Sequence, residues 1–185
     1  IKNAIISLSN KEGIKDLLKL LKKFRVNLIS SGGTYKFIKK LGYECTEISD
    51  YTNFPEILDG RVKTLHPKIY AGILSKRNKK HTRDLKKFNF KEIDMVVCNF
   101  YPFEFFLKKG SNHEKILEKI DIGGPTLVRA AAKNYKDVVV VSSINQYHSL
   151  KNELLRNNGS TSLDFRKRLS SEAFHETGYY DSVIS

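Results

Sequence analysis

The stretch Asp59-Gly60-Arg61-Val62-Lys63-Thr64-Leu65-His66-Pro67 sets two cations and a hydroxyl at alternating positions just after a glycine. In an extended segment Arg61, Lys63 and Leu65 point one way, and Val62, Thr64 and His66 the other. Positive charge then gathers on one side of a short loop, which suits a phosphorylated or otherwise anionic small molecule. His66 stands beside this loop, where packing or orientation of Lys63 is a sufficient role.

Other segments offer matching groups. Ser31-Gly32-Gly33-Thr34 follows an apolar run and opens a helical pattern. Unpaired N–H groups and the helix dipole favour an anion at such a turn, and two glycines let the backbone approach it. Ser7, Ser9 and Lys11 end the first apolar run, and Asn99 and Tyr101 end another, offering hydroxyls, an ammonium, an amide and a phenol. Asp121-Ile122-Gly123-Gly124-Pro125-Thr126 places a carboxylate ahead of a second glycine pair and a Pro-initiated helix, with Arg129 and Lys133 four residues apart on one face. A carboxylate, a lysine and a phenol can form a proton-transfer network if the fold unites them. Each segment also has a plain reading, as a turn, a helix cap, a half-buried tyrosine or a solvated basic face.

These segments need a scaffold that brings strand ends together. Ala4 to Leu8, Asn27 to Ser30, Glu44 to Ile48, Ile93 to Asn99 and Asp137 to Ser142 read as strands. Helical patterns separate them: one capped by Asn10 with Ile14, Leu17, Leu18 and Leu21 on a face, one through Phe37, Ile38 and Leu41 ending at Gly42, and others over 103–109, 112–120 and 125–134. The alternation predicts an α/β fold with a largely parallel sheet flanked by helices, in which ligands sit at the carboxyl ends of strands. Beyond Ser143 two apolar helical faces follow, so residues 1–143 are expected as the core and 144–185 as a helical extension of the same domain.

The chain has 185 residues, enough for one full core, and a formal charge of +13. Its densest basic run, Lys76 to Arg83 with Lys86 and Lys87, invites a nucleic-acid reading, but lysine is spread along the entire chain and basic helix exteriors explain it. No polynucleotide partner is expected. No apolar run approaches the roughly 20 residues of a membrane span, and no signal peptide is evident, so a cytoplasmic protein without membrane attachment is expected. Cys45 and Cys98 read as reduced, packed thiols. His66, His81, His113, His148 and His175 form no ligand set with metal-binding spacing, and no metal is predicted.

In five ordered blocks the sequence resembles a known family, the IMP cyclohydrolase domain of the bifunctional purine-biosynthesis protein that also carries a transformylase. The blocks are Ser31 to Thr34, Asp50 to Glu56, Asp59 to Pro67, Asn99 to Phe103, and Ile120 to Asn134, with Ala173-Phe174 and Tyr180-Asp181 recurring near the end. The resemblance implies a methylglyoxal-synthase-like domain that closes formyl-AICAR to IMP with loss of water, in the last step of de novo purine biosynthesis. It implies no cofactor, a homodimer, and a transformylase domain elsewhere in the full-length protein. It also implies that Ser7, Lys11, Ser31, Gly32, Gly33 and Thr34 hold the ribose phosphate, and that Arg61, Lys63 and Thr64 close over the ligand. The catalytic set would be Lys63, Tyr101, Asp121 and Lys133, with Asn99 and Gly123 at the substrate. Which of these is the base stays open. The chain ends at Ser185, before any transformylase part, and starts at Ile1 without an initiator Met, so a trimmed piece is expected. A phosphometabolite-sensing domain and a methylglyoxal synthase are the competing readings. The full catalytic set speaks against the first, and the Arg61 to Pro67 and Asn99 to Phe103 blocks against the second.

Overall fold

The computed structural model describes residues 1–108, 110 and 112–185. Five strands form one fully parallel sheet in the order β3-β2-β1-β4-β5: β1 Asn3–Leu8, β2 Asn27–Ser30, β3 Thr46–Glu47, β4 Met95–Asn99 and β5 Val139–Val141. The central strands are near-continuous apolar runs because helices cover both faces. Ile5, Ile6, Met95, Val96 and Val141 are sealed from solvent. The third strand is shorter than the predicted Glu44 to Ile48. Only Thr46 and Glu47 pair with β2, and Ile48 opens a helix that turns Ile48, Tyr51 and Thr52 inward.

Helix α1 is Ile14–Lys23, α2 Gly32–Lys40, α3 Ile48–Thr52, α4 Pro67–Leu74 and α5 Lys79–Lys87. Then come α6 Phe103–Lys108, α7 His113–Leu117, α8 Gly123–Lys133, α9 Tyr147–Arg156 and α10 Leu163–Ile184. The predicted helix over 103–109 is found as α6, with Lys109 outside the described residues. Two local expectations change. Asn10 does not cap α1, since its side chain accepts the Glu12 N–H at 2.9 Å in a tight turn and Gly13, at φ 70°, stands at the cap. His66 caps α4, its Nδ1 accepting the Lys68 N–H at 3.1 Å beside Pro67 at the first helical position.

The connections from β1 and β4 leave in opposite directions along the sheet, and right-handed crossovers carry α1 and α8 to opposite faces. Helix α9 packs on α1, and the 22-residue α10 packs on α8, β5 and α6 through Leu169, Ala173 and Tyr180. Among the described residues no helix is long and apolar enough to cross a membrane.

Candidate functional site

The adjacent strands β1 and β4 form the topological switch point, where the chain opens a crevice at the carboxyl edge of a parallel sheet. Two glycine turns border this crevice. One lies between β2 and α2, and the other leads into α8.

At the first turn, Ser31 makes no side-chain cap, so the N–H groups opening α2 face outward without a protein side-chain partner. Gly32 adopts φ 53°, a left-handed conformation that glycine takes at little cost, and the space a Gly33 Cβ would occupy is open. The Thr34 hydroxyl is committed inward. It accepts the Leu8 N–H and donates to the Leu8 carbonyl, both at 3.0 Å, and locks the turn onto the end of β1. The Lys11 ammonium reaches the same carbonyl at 3.1 Å, which holds its charge over the strand end. Ser7 lies one residue earlier, half-buried and in register with Cys98 of β4.

The basic segment forms a strap that bridges the two turns. A short antiparallel bridge, Ile57 to Val62, closes its loop, and Leu58, Asp59 and Gly60 all adopt positive φ at the tip. Beyond the bridge Lys63 and Thr64 reach opposite turns as expected, whereas Arg61 does not share the side of Lys63. The Lys63 ammonium lies 3.4 Å from where a Gly32 Cβ would stand, whereas the buried Thr64 hydroxyl lies 2.7 Å from where a Gly123 Cβ would stand. Arg61 points outward and pairs with Glu118 just beyond α7.

At the second turn the Asp121 carboxylate accepts the Gly124 N–H at 2.9 Å, and the Asp121 N–H donates to the Tyr180 phenol of α10 at 2.8 Å. Phe100 packs between, its ring 5.1 Å from that of Tyr180 and its edge 3.2 Å from where a Gly124 Cβ would stand. Burial pushes the Asp121 carboxyl above its ordinary value, against the pull of the Gly124 and Gly123 N–H groups. Beneath it lie the Tyr70 phenol, buried beside Thr64 without a hydrogen bond of regular geometry, and the buried Cys98 thiol. Burial pushes both well above their usual ranges.

Three predicted site residues stand differently. The Asn99 amide is taken up by backbone, its oxygen accepting the Asn10 N–H at 2.9 Å and its nitrogen donating to the Asn10 carbonyl at 2.8 Å. It shapes the β1–α1 loop and leaves one of its two amide N–H donors uncommitted among the described residues. Tyr101 stands two residues beyond the end of β4, its side chain exposed, and among the described residues it makes no hydrogen bond to Asp121. Lys133 is not brought to the others. It ends the 11-residue α8, about 15 Å along the axis from Gly123 at about 1.5 Å per residue. The next residue, Asn134, binds the Ile73 and Ser75 carbonyls near the amino edge of the sheet. The supports from Tyr180 and Tyr70 carry no local signal in the sequence, although Tyr180, like Phe100, falls within a segment that marks the resemblance.

A family model described as MGS-like domain matches residues 13–126, and one described as AICARFT/IMPCHase bienzyme matches residues 131–185. The bifunctional purine biosynthesis protein PurH of Clostridium botulinum (strain Eklund 17B / Type B) is 48% identical over 100% of this chain and 37% of its own length. PurH of Bacteroides thetaiotaomicron is 44% identical over 100% of this chain and 36% of its own. The chain thus spans little more than a third of the length of these relatives. Among solved structures, the crystal structure of ForH superposes with a TM-score of 0.88 at 29% identity, covering 100% of this chain and 95% of that one. With the match to residues 13–126 extending over more than half of its length, the chain belongs to the MGS-like domain family.

Proposed function

We propose that this chain is the IMP cyclohydrolase part of a longer bifunctional purine-biosynthesis protein, closing formyl-AICAR to IMP. The observation that carries the reading is the reach of two consecutive residues, Lys63 and Thr64, to the two glycine turns of one crevice. A substrate whose anionic group sits on the N–H groups of the Gly32-Gly33 turn extends past the Lys63 ammonium, and its reacting end lies between Lys63 and Asp121.

The ring closure joins the carboxamide nitrogen to the formamide carbon. The carboxamide nitrogen gives up one proton and the formamide nitrogen a second as the C=N bond forms; the formyl oxygen takes both, its bond to carbon breaks, and it leaves as water. The protein must hold the reactive conformer, accept a proton and stabilise the oxygen. Lys63 stabilises the developing charge on oxygen. Asp121, whose burial favours proton uptake, takes the proton from nitrogen. Tyr101 stands at the rim, positioned to close on the base end. Lys133 is left out of this set for a single chain, because of its distance along α8.

The remaining parts of the reading are of the same kind. A transformylase domain follows in the longer protein, which works in the cytoplasm as a homodimer. Residues 144–185 belong with the core 1–143 as one working unit, since Tyr180 holds the Asp121 backbone.

The test is IMP formation from formyl-AICAR, followed by absorbance, with Lys63→Ala and Tyr101→Phe beside the wild type. Lys63→Ala is expected to lower turnover at least about a hundredfold, and Tyr101→Phe to lower it less. Undiminished turnover in a folded Lys63→Ala protein overturns the assignment.

A further inference from the structure

We infer that Glu56 is the positioning residue for Lys63, fixing its ammonium across the Gly32-Gly33 turn through a slot that Gly60 leaves open. The bridge from Ile57 to Val62 puts residues 56 and 63 opposite each other in the next antiparallel position, so the backbone itself pairs them. Glu56 Oε1 lies 3.0 Å from Lys63 Nζ. Gly60 faces this pair at φ 84°, and a Cβ there would come within 2.2 Å of Glu56 Oε1, 2.5 Å of Lys63 Cε and 2.8 Å of Lys63 Nζ. On its other side the same ammonium meets Gly32. Two glycines with positive φ thus flank one ion pair.

The pair is half-exposed, and such pairs contribute little to stability. Its role is placement. A lysine ammonium on a four-carbon stem samples many rotamers, and a carboxylate set by the backbone selects the one that reaches the anion turn. Arg61, the neighbouring cation, points away to Glu118 and cannot substitute.

The inference rests on Lys63 serving the proposed cyclohydrolase, so the test carries two readouts. Wild type, Glu56→Ala, Lys63→Ala and the double variant are assayed for single-turnover IMP formation from formyl-AICAR. The same proteins are titrated with inorganic phosphate, followed by the phosphorus resonance. Glu56→Ala is expected to lower kcat on the order of ten- to a hundredfold, as a misplaced catalytic group does, with KM and the unfolding midpoint little changed. In the Lys63→Ala background it should cost nothing more. Glu56→Gln, which keeps an oxygen at the same reach, should recover part of the loss, and Gly60→Ala should reproduce it. If the Glu56 and Lys63 losses multiply in the double variant, Glu56 acts independently and the inference fails while the cyclohydrolase reading stands. If the wild type forms no IMP yet both substitutions weaken phosphate binding to the same, non-multiplying extent, the cyclohydrolase reading fails and the positioning role stands. Absence of coupling in both readouts overturns the inference.

Discussion

The Tyr180 phenol accepts the Asp121 N–H at 2.8 Å across 59 residues of sequence, so the last turns of α10 hold the backbone of the candidate carboxylate. Phe100 and Phe103 pack against the same ring. Tyr180→Phe keeps the ring packing and removes one hydrogen bond. It should cost about 1 kcal/mol in urea unfolding, with a loss of turnover larger than that change in stability explains. Unaltered turnover would mean that Asp121 is held adequately by Gly124 alone.

Thr34→Val tests the lock between the first glycine turn and β1. The isosteric change removes both bonds to Leu8; Lys11 still serves the carbonyl, but the Leu8 N–H is left buried and unpaired. Denaturant unfolding should show a loss of about 1–3 kcal/mol. Phosphate affinity should weaken as the turn loosens.

The pH dependence of stability reads out Asp121. Burial raises its folded-state value above the ordinary 3.8, so the group favours the folded state below about 3.8 and that contribution is lost as pH rises through the folded value. Asp121→Asn removes this dependence. Measured by urea unfolding, the variant should gain stability relative to wild type between pH 4 and pH 7, while losing turnover. A constant difference between the two proteins across that range would contradict the buried, raised carboxyl.

Gly123→Ala separates stability from activity. Alanine improves helix propensity by up to about 1 kcal/mol, yet its Cβ would stand 2.7 Å from the Thr64 hydroxyl and push it away. The expected result is an unfolding midpoint near that of wild type, with turnover lowered about tenfold as the strap shifts. Equal turnover would show that Thr64 tolerates displacement.

Much of the scaffold is readable along the chain because buried parallel strands are compact apolar runs. Asn27 to Ser30 is a strand with the predicted bounds, the first glycine turn sits where a strand and a helix pattern meet, and the second where two helical patterns meet. Helices α4 and α5 escape periodicity because the first is apolar on most sides and the second basic on most sides; their signals are the caps, His66 with Pro67 and Asn78. The site is legible only in its local parts. Spacing singles out Lys63 and Asp121 as candidates, but how far the Asn99 amide is committed depends on Asn10, and the hold on Asp121 depends on Tyr180, both distant in sequence. Lys133 shows the complementary limit of spacing. Four-residue spacing from Arg129 defines a face of α8, whereas reaching the carboxyl edge depends on which end of the helix a residue occupies.

The strap also works as a gauge. One peptide unit, with Cα atoms about 3.8 Å apart, separates the residue that reaches Gly32 from the residue that reaches Gly123. Insertion or deletion of a single residue between Val62 and Lys63 would exchange the sides of ammonium and hydroxyl. The span from the Ile57 to Val62 bridge to Thr64 therefore admits no change in length.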